Sequence, residues 1–253
     1  MNNKLCAKAI EAITQKGIIG SEIVFFDELT STFDQIRKMP FSNGLTVVCA
    51  HQTEGCGRLG RSWESDSGGV YFTFALEHTR NDFPLPFTTL VCALGVCRVL
   101  SRYVPCAIKW PNDIVSGGKK LCGILTKNLY NEDKKNIILA GIGINVNNSF
   151  SDNLPYAASI KSLTGVTHNE NIILSEVLQE TDNIYFSLSH GEIIKSYREL
   201  CINKGKEITL VYADREVKGV CTDILPDGTM EVTSDGRTFA VNSGEVSVKG
   251  IYE

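Results

Sequence analysis

The residues most able to do chemistry lie in four short runs. In the first, Gln52-Thr53-Glu54-Gly55-Cys56-Gly57-Arg58-Leu59-Gly60-Arg61-Ser62-Trp63, glycines are interleaved with charged side chains. Glycine lets backbone approach a ligand closely, and Arg58 and Arg61 carry fixed charge in a fork that matches carboxylate and phosphate oxygens. A polyanion would fit this segment. A solvated basic loop has the same composition, and the spacing is neither that of a P-loop nor that of a dinucleotide-binding turn. In the second run, Lys109-Trp110-Pro111-Asn112-Asp113, a cation, an amide and a carboxylate leave the end of an apolar strand together, and Pro111 fixes the direction in which they emerge. An ordinary turn, with Asn112 and Asp113 bonding its backbone, would use the same residues.

The third run, Lys119-Lys120-Leu121-Cys122-Gly123-Ile124-Leu125, sets a lysine at the mouth of an apolar strand. There it can hold negative charge developing on a phosphate or carboxylate once water is excluded, although the tip of a hairpin also favours lysine for solubility. The fourth, Gly141-Ile142-Gly143-Ile144-Asn145-Val146-Asn147, places glycines on one face of a strand and ends on Asn145. Those glycines leave room for a flat ligand, and an amide offers the donor and the acceptor that adenine recognition needs. Close packing within a sheet would account for them too.

Such groups need a sheet to hold them, and the hydrophobic pattern supplies one. Leu5, Ala9, Ile10 and Ile13 predict an opening helix that residues 17–20 end. Strands are predicted at 23–27, 45–50, 70–76, 107–110 and 136–146, with a hairpin of 114–116 and 121–129 around Gly117-Gly118. Helices are predicted from Ser31 or Thr32 to about residue 39, and over 87–103, 172–189 and 193–200, while 148–167 reads as loop. After Gly205 the texture changes to short strands at 208–212, 217–224, 229–233, 238–241 and 246–248, with turns at Asp227-Gly228 and Asp235-Gly236. This suggests a small β-barrel. The expected division is therefore 1–204 and 205–253.

Composition narrows the class. A net charge of −4 opposes a protein that grips nucleic acid by neutralising phosphates. The nine cysteines are scattered with no C-x-x-C pair, as expected of reduced thiols in a cytosol, and the four histidines lack metal-ligand spacing. No stretch approaches the roughly 18 apolar residues of a membrane span. A cytoplasmic protein without nucleic-acid or membrane partners is expected.

Taken together, in this order and at these separations, the four runs resemble those of the biotin protein ligases: the glycine-arginine loop at 55–63, K-W-P-N-D at 109–113, K-L-x-G-I-L at 120–125 and G-I-G-I-N at 141–145. A fifth match lies at Asp27-Glu28-Leu29-Thr30-Ser31-Thr32, and the resemblance spans 23–253. It implies an α+β fold, with a mixed central sheet flanked by helices as in class II synthetases, plus a small C-terminal SH3-like β-barrel. It implies the short form without an N-terminal helix-turn-helix domain, acting as monomer or homodimer. The implied reaction joins biotin to AMP from ATP, with Mg²⁺, and passes biotin to a lysine of a biotin carboxyl carrier protein.

By motif, Ser31, Thr32 and Gln52 would bind the ureido ring, with Cys56, Gly57, Arg58, Lys120, Gly123, Gly141 and Gly143 completing the biotin site. Arg58, Arg61, Trp63, Lys109, Asn112, Lys120 and Asn145 would face ATP and the adenylate. Arg58, Lys120 and Asp113 would be catalytic, with Asp113 the candidate for Mg²⁺, itself held mostly by phosphates. A lipoate or octanoate ligase shares the acyl-adenylate logic without ureido-binding groups, and Gln52 with K-W-P-N-D favours biotin over it. A ligand-sensing transcription factor and a binding protein without catalysis are the readings from other classes. The chain departs from the family at Phe33, where Asn or Met is usual, and at Cys56, where arginine usually stands between the first two glycines. That substitution removes a charge from the loop that encloses the adenylate. Cys56→Arg is therefore expected to slow release of the adenylate; release of labelled intermediate at an unchanged rate would refute this.

Overall fold

The run at 70–76 is apolar on both sides of its pleat, and a strand with two buried faces needs cover on each. The computed structural model, which describes residues 3–6, 8–10, 17–84, 86–130, 135–151, 153–211, 215–242 and 245–248, meets that need with helices on both faces of a seven-stranded sheet. Its strands are β1 (Glu22–Leu29), β2 (Leu45–Gln52), β3 (Gly69–Glu77), β4 (Ala107–Lys109), β5 (Asp113–Ser116), β6 (Lys119–Tyr130) and β7 (Asn136–Asn145). They lie in the order β1-β2-β3-β7-β6-β5-β4. The β1–β2 pair is parallel and the other pairs are antiparallel, so the sheet is mixed.

Along β3 the side chains alternate. Val70, Phe72, Phe74 and Leu76 join the main core with α2 (Phe87–Leu100) and α4 (Glu170–Ser187), whereas Ala75 packs with Phe33 and Ile36 of α1 (Thr32–Arg37) on the opposite face. Helix α1 starts where the sequence places a cap: the Phe33 N–H donates to Ser31 Oγ. Two predicted helices are shorter than read, ending at Arg37 and Leu100. Within the segment read as loop, α3 (Ile160–Thr164) forms a single turn between a Ser159–Ser162 capping box and a left-handed Gly165. Residues 8–10 of the opening helix are helical, and 11–16 lie outside the described residues.

Helix α5 (His190–Leu200) leads into a second, antiparallel sheet of β8 (Glu207–Val211), β9 (Glu216–Ile224), β10 (Met230–Ser234), β11 (Arg237–Val241) and β12 (Glu245–Val248). Its order is β11-β10-β9-β8-β12, and among the described residues no pairing joins β11 to β12. The predicted Asp235-Gly236 turn closes β10 onto β11, with φ of 48° and 72° at its two residues, as a two-residue hairpin of this hand requires. No described helix is long and apolar enough to cross a membrane.

The two sheets share one core, which runs from β3 and β7 through α2 to Ile208, Met230 and Val232. Their contact bears on the turn after β4. Ile202 N–H donates to Ile108 O at 2.9 Å, Asn203 Oδ1 accepts from the Trp110 N–H at 2.8 Å, and Trp110 Nε1 donates to Gly228 O at 3.0 Å. Tyr197 Oη adds a bond to Pro111 O at 3.1 Å. Trp110 is thus a strut from the first sheet to the second. Trp110→Phe keeps most of the packing but orphans the buried Gly228 carbonyl, so a loss of about 1–2 kcal/mol is expected from the urea midpoint.

Candidate active site

A row across the sheet lacks side chains where most sheets carry them. Tyr71 pairs with Gly143, Gly143 with Gly123, and Gly123 with Asp113, so two adjacent glycines cut a trough on the α1 face that ends at a carboxylate. The Trp63 indole lies in this trough: a Cβ at Gly143 would stand 2.5 Å from its Nε1, and one at Gly123 would stand 2.8 Å from its ring. The space that the sequence offers to a flat ligand is taken, in this structure, by the loop's own tryptophan. Its Nε1–H is buried and has no hydrogen-bond partner among the described residues, which leaves a donor for an acceptor atom. Gly141, one row away, faces Phe33 and Thr73 instead.

The glycine-arginine segment folds back on itself as an irregular hairpin. Cys56 bridges Ser62, Trp63 N–H donates to Gly55 O at 2.8 Å, and Gly57 N–H donates to Arg61 O at 2.7 Å. The tip is tight enough to hold Leu59 at φ 56°, ahead of Gly60 at φ 75°, and Leu59 is 75% exposed. This carries Arg58 inward, where its Nη1 donates to Asn112 Oδ1 at 2.7 Å while Asn112 Nδ2 holds Ile124 O at 2.9 Å. Burial lowers the Arg58 pKa, and the neighbouring charge of Asp113 partly restores it. Lys120 Nζ lies 2.7 Å from Asp113 Oδ1 and 5.2 Å from the centre of the Trp63 ring. The Lys120 backbone is clamped as well, accepting from the Ala158 N–H at 3.0 Å and donating to Tyr156 O at 2.7 Å.

At the other end of the hairpin the groups are neutral. Gln52 Oε1 accepts from the Thr32 N–H at 2.8 Å and the Thr32 hydroxyl at 3.0 Å, and Gln52 Nε2 donates to Ser65 Oγ at 2.8 Å. Asn145, 2% exposed, reaches Lys120 O at 3.4 Å and accepts from Asn148 Nδ2 at 3.2 Å.

Both ends open into one cavity of about 670 Å³. It gathers Ser31, Thr32 and Gln52 with the loop residues Cys56, Gly57, Arg58, Arg61 and Trp63. The sheet supplies Lys109, Asn112, Asp113 and Lys120 and, from the floor, Gly123, Gly141, Gly143 and Asn145. Sequence reasoning missed Thr73, whose signal is a lone polar residue in the apolar run 70–76, and the segment around Phe150, Leu154 and Tyr156, which carries no motif. The donor set is one of nitrogen cations and amides; among the described residues no group of three or more His, Cys, Asp or Glu could hold a metal. Asp113 is already engaged by Lys120, so it fits an ion carried chiefly by phosphates rather than by the protein. Burial pushes the thiols of Cys92 and Cys201 up to about 12 and about 11, which leaves them as packing groups rather than nucleophiles.

Comparison with known proteins agrees with this geometry. Residues 25–147 match the Biotin/lipoate A/B protein ligase family. The chain is 34% identical over 202 residues to the bifunctional ligase/repressor BirA of Bacillus subtilis, covering 74% of this chain and 61% of that one. It is 27% identical over 215 residues to the biotin--[acetyl-CoA-carboxylase] ligase of Mycobacterium tuberculosis, covering 81% and 79%. The fold superposes on the biotin protein ligase of Aquifex aeolicus in complex with biotin and ATP with a TM-score of 0.80 at 27% identity, over 90% of this chain and 99% of that one. The mixed sheet flanked by helices is the architecture that the chain shares with this solved structure. Residues 25–147 carry the domain of the biotin/lipoate A/B protein ligase family.

The trough makes a direct prediction. Trp63 and Trp110 are the two tryptophans, and Trp110 is buried at 3% exposure, so a change in intrinsic fluorescence reports Trp63. Gly143→Ala should lift the indole into water and shift emission to the red, whereas Gly191→Ala, in open space, should not.

Proposed function

We propose that this protein is an ATP-dependent biotin protein ligase that adenylates biotin and transfers it to a lysine of a biotin carboxyl carrier protein. The observation that carries the reading is the polarity of the one cavity. Neutral hydrogen-bonding groups, Thr32 and Gln52, stand at one end and the cations Arg58 and Lys120 at the other, and apolar side chains on the same face of the sheet, Phe33, Trp63 and Leu125, line the space with them. Biotin has that layout: a ureido ring, an apolar body and a terminal carboxylate. Lipoate lacks the ureido ring.

In the first step a carboxylate oxygen attacks the α-phosphorus of ATP and pyrophosphate leaves. Both partners are anions, so the barrier is dominated by bringing negative charges together, and preorganised cations lower it. Lys120 lies where it can exchange its Asp113 partner for the biotin carboxylate and the α-phosphate, and Arg58 can exchange Asn112 for the same oxygens. Arg61 and Lys109 extend the positive surface towards the phosphates, and Asn145 takes the adenine. Asp113 would face Mg²⁺ carried by the ATP phosphates, an ion that would supply charge neutralisation for the pyrophosphate leaving group. Thr32, Ser31 and Gln52 hold the ring so that the carboxylate is in reach. In the second step the ε-amine of the carrier lysine attacks the acyl carbon, AMP leaves with the bonding pair, and the amine gives up its proton. Asp113, at the cation end of the trough, is the carboxylate placed to orient that amine.

The domain division at residue 204 belongs to the same reading: the five-stranded sheet is taken as a small SH3-like barrel, and the bulge between Glu231 and Val232 supplies curvature of the kind that closing a barrel requires. It serves the reaction by holding the turn at 109–113.

ATP–pyrophosphate exchange tests the proposal. Exchange should depend on biotin, be absent with lipoate or octanoate, and fall by roughly 10²–10³ in Lys120→Ala, as loss of one preorganised charge contact typically costs. Exchange with lipoate alone, or with no acid, would overturn it.

A further inference from the structure

The protons around Gln52 can be placed one by one. A backbone N–H only donates, so the atom that meets the Thr32 N–H at 2.8 Å is Oε1, and the orientation of the amide is fixed. Oε1 only accepts, so the Thr32 hydroxyl, 3.0 Å away, spends its single proton there. Thr32 Oγ1 also lies 2.9 Å from Thr73 Oγ1, and with its own proton committed it can only accept, which makes Thr73 the donor. On the far side Gln52 Nε2 donates to Ser65 Oγ, and Ser65 passes its proton to Trp63 O at 3.2 Å. The result is a directed chain that begins inside the sheet at Thr73, 0% exposed, and ends at the base of the loop at Ser65, 3% exposed.

Two donors are left over at this end of the cavity: the second N–H of Gln52 and the hydroxyl proton of Ser31, whose oxygen already accepts from the Phe33 N–H. A polar end that offers donors selects an acceptor, and a ureido carbonyl is a strong one. Were the Thr32 hydroxyl free to rotate, Oε1 would keep only the Thr32 backbone N–H of its two donors, and the Gln52 N–H would be aimed into the cavity less firmly.

We propose that Thr73 and Ser65 are positioning residues that lock Thr32 and Gln52 in the donor-presenting arrangement, and so set the enzyme's selectivity for the ureido group. The proposal rests on the biotin reading. It assigns a role to a strand residue of the sheet and to a serine outside the recognised runs.

The test is steady-state exchange with biotin and ATP varied separately, on wild type, Thr73→Val, Ser65→Ala and Thr73→Ser. Losing one buried hydrogen bond of this kind should raise KM for biotin about tenfold in Thr73→Val and in Ser65→Ala. KM for ATP and kcat should stay within about twofold, and Thr73→Ser, which keeps the donor, should stay near wild type. A general loss of structure would move KM for ATP as well and lower the thermal midpoint. An unchanged KM for biotin in Thr73→Val, a parallel rise in KM for ATP, or a failure of Thr73→Ser to hold the wild-type value would each overturn the proposal. A wild-type protein without biotin-dependent exchange would overturn the biotin reading and this proposal together, whereas variant ratios near one in an active wild type would overturn this proposal alone.

Discussion

Cations gathered to meet anions must be kept in place while no anion is present. Arg58 is half-buried and Lys120 lines the same cavity, and like charges so arranged repel in proportion to how little water screens them. The protein answers with a partner for each: an amide for the arginine, a carboxylate for the lysine, both from the one turn at 109–113. These partners are good enough to hold the side chains and poor enough to be replaced. Asn112 offers a neutral oxygen where a phosphate offers a charged one, and charge-assisted hydrogen bonds are about twice as strong as neutral ones. The difference favours exchange on binding. The turn therefore has to be stiff, and three hydrogen bonds to Trp110 and Pro111 from the C-terminal half of the chain make it so.

Most of this arrangement can be read from residue type and spacing, and the parts that cannot have physical reasons. Strands with strict apolar runs, such as 45–50 and 70–76, leave little choice, and the structure extends the first by two residues at its end and the second by one at each end. The two-residue Asp235-Gly236 turn is legible because a positive φ at both positions admits few residues. The site residues announce themselves where glycine and charge coincide. Helix α3 is hidden because a single turn has too few residues for a periodicity, and only its caps mark it. Thr73 is hidden because a threonine suits a strand for its shape alone, and its hydroxyl gains meaning only from Thr32, which lies on a helix 41 residues earlier in the chain. The strut at Trp110 is beyond sequence reasoning altogether, since its partner, the Gly228 carbonyl, is a backbone atom with no residue-specific signature.

The cavity is built from two different kinds of interaction, each suited to its end. The neutral end is a chain of short hydrogen bonds with fixed proton order, which discriminates by geometry and donor count. The charged end is a set of exchangeable pairs, which discriminates little but responds strongly to charge. Between them the hairpin at 53–65 touches both, through Ser65 on Gln52 and through Arg58 on Asn112. A segment so placed senses occupancy at either end, because displacing one of its contacts changes the support for the other.

The strand order has a consequence for how the protein is made. β3 and β6 do not touch; each pairs with β7, which is the last strand of the large sheet to leave the ribosome. Until residue 145 has been synthesised the trough has no floor, and Thr73 has no Gly141 beside it. The edge of β3 that β7 covers must wait unpaired through that interval, since closing contacts between distant parts of a chain is slow and an open strand edge invites pairing with another chain. Newly made chains are thus most exposed to aggregation before β7 arrives, and the centre of the sheet is the step on which the rest of folding waits.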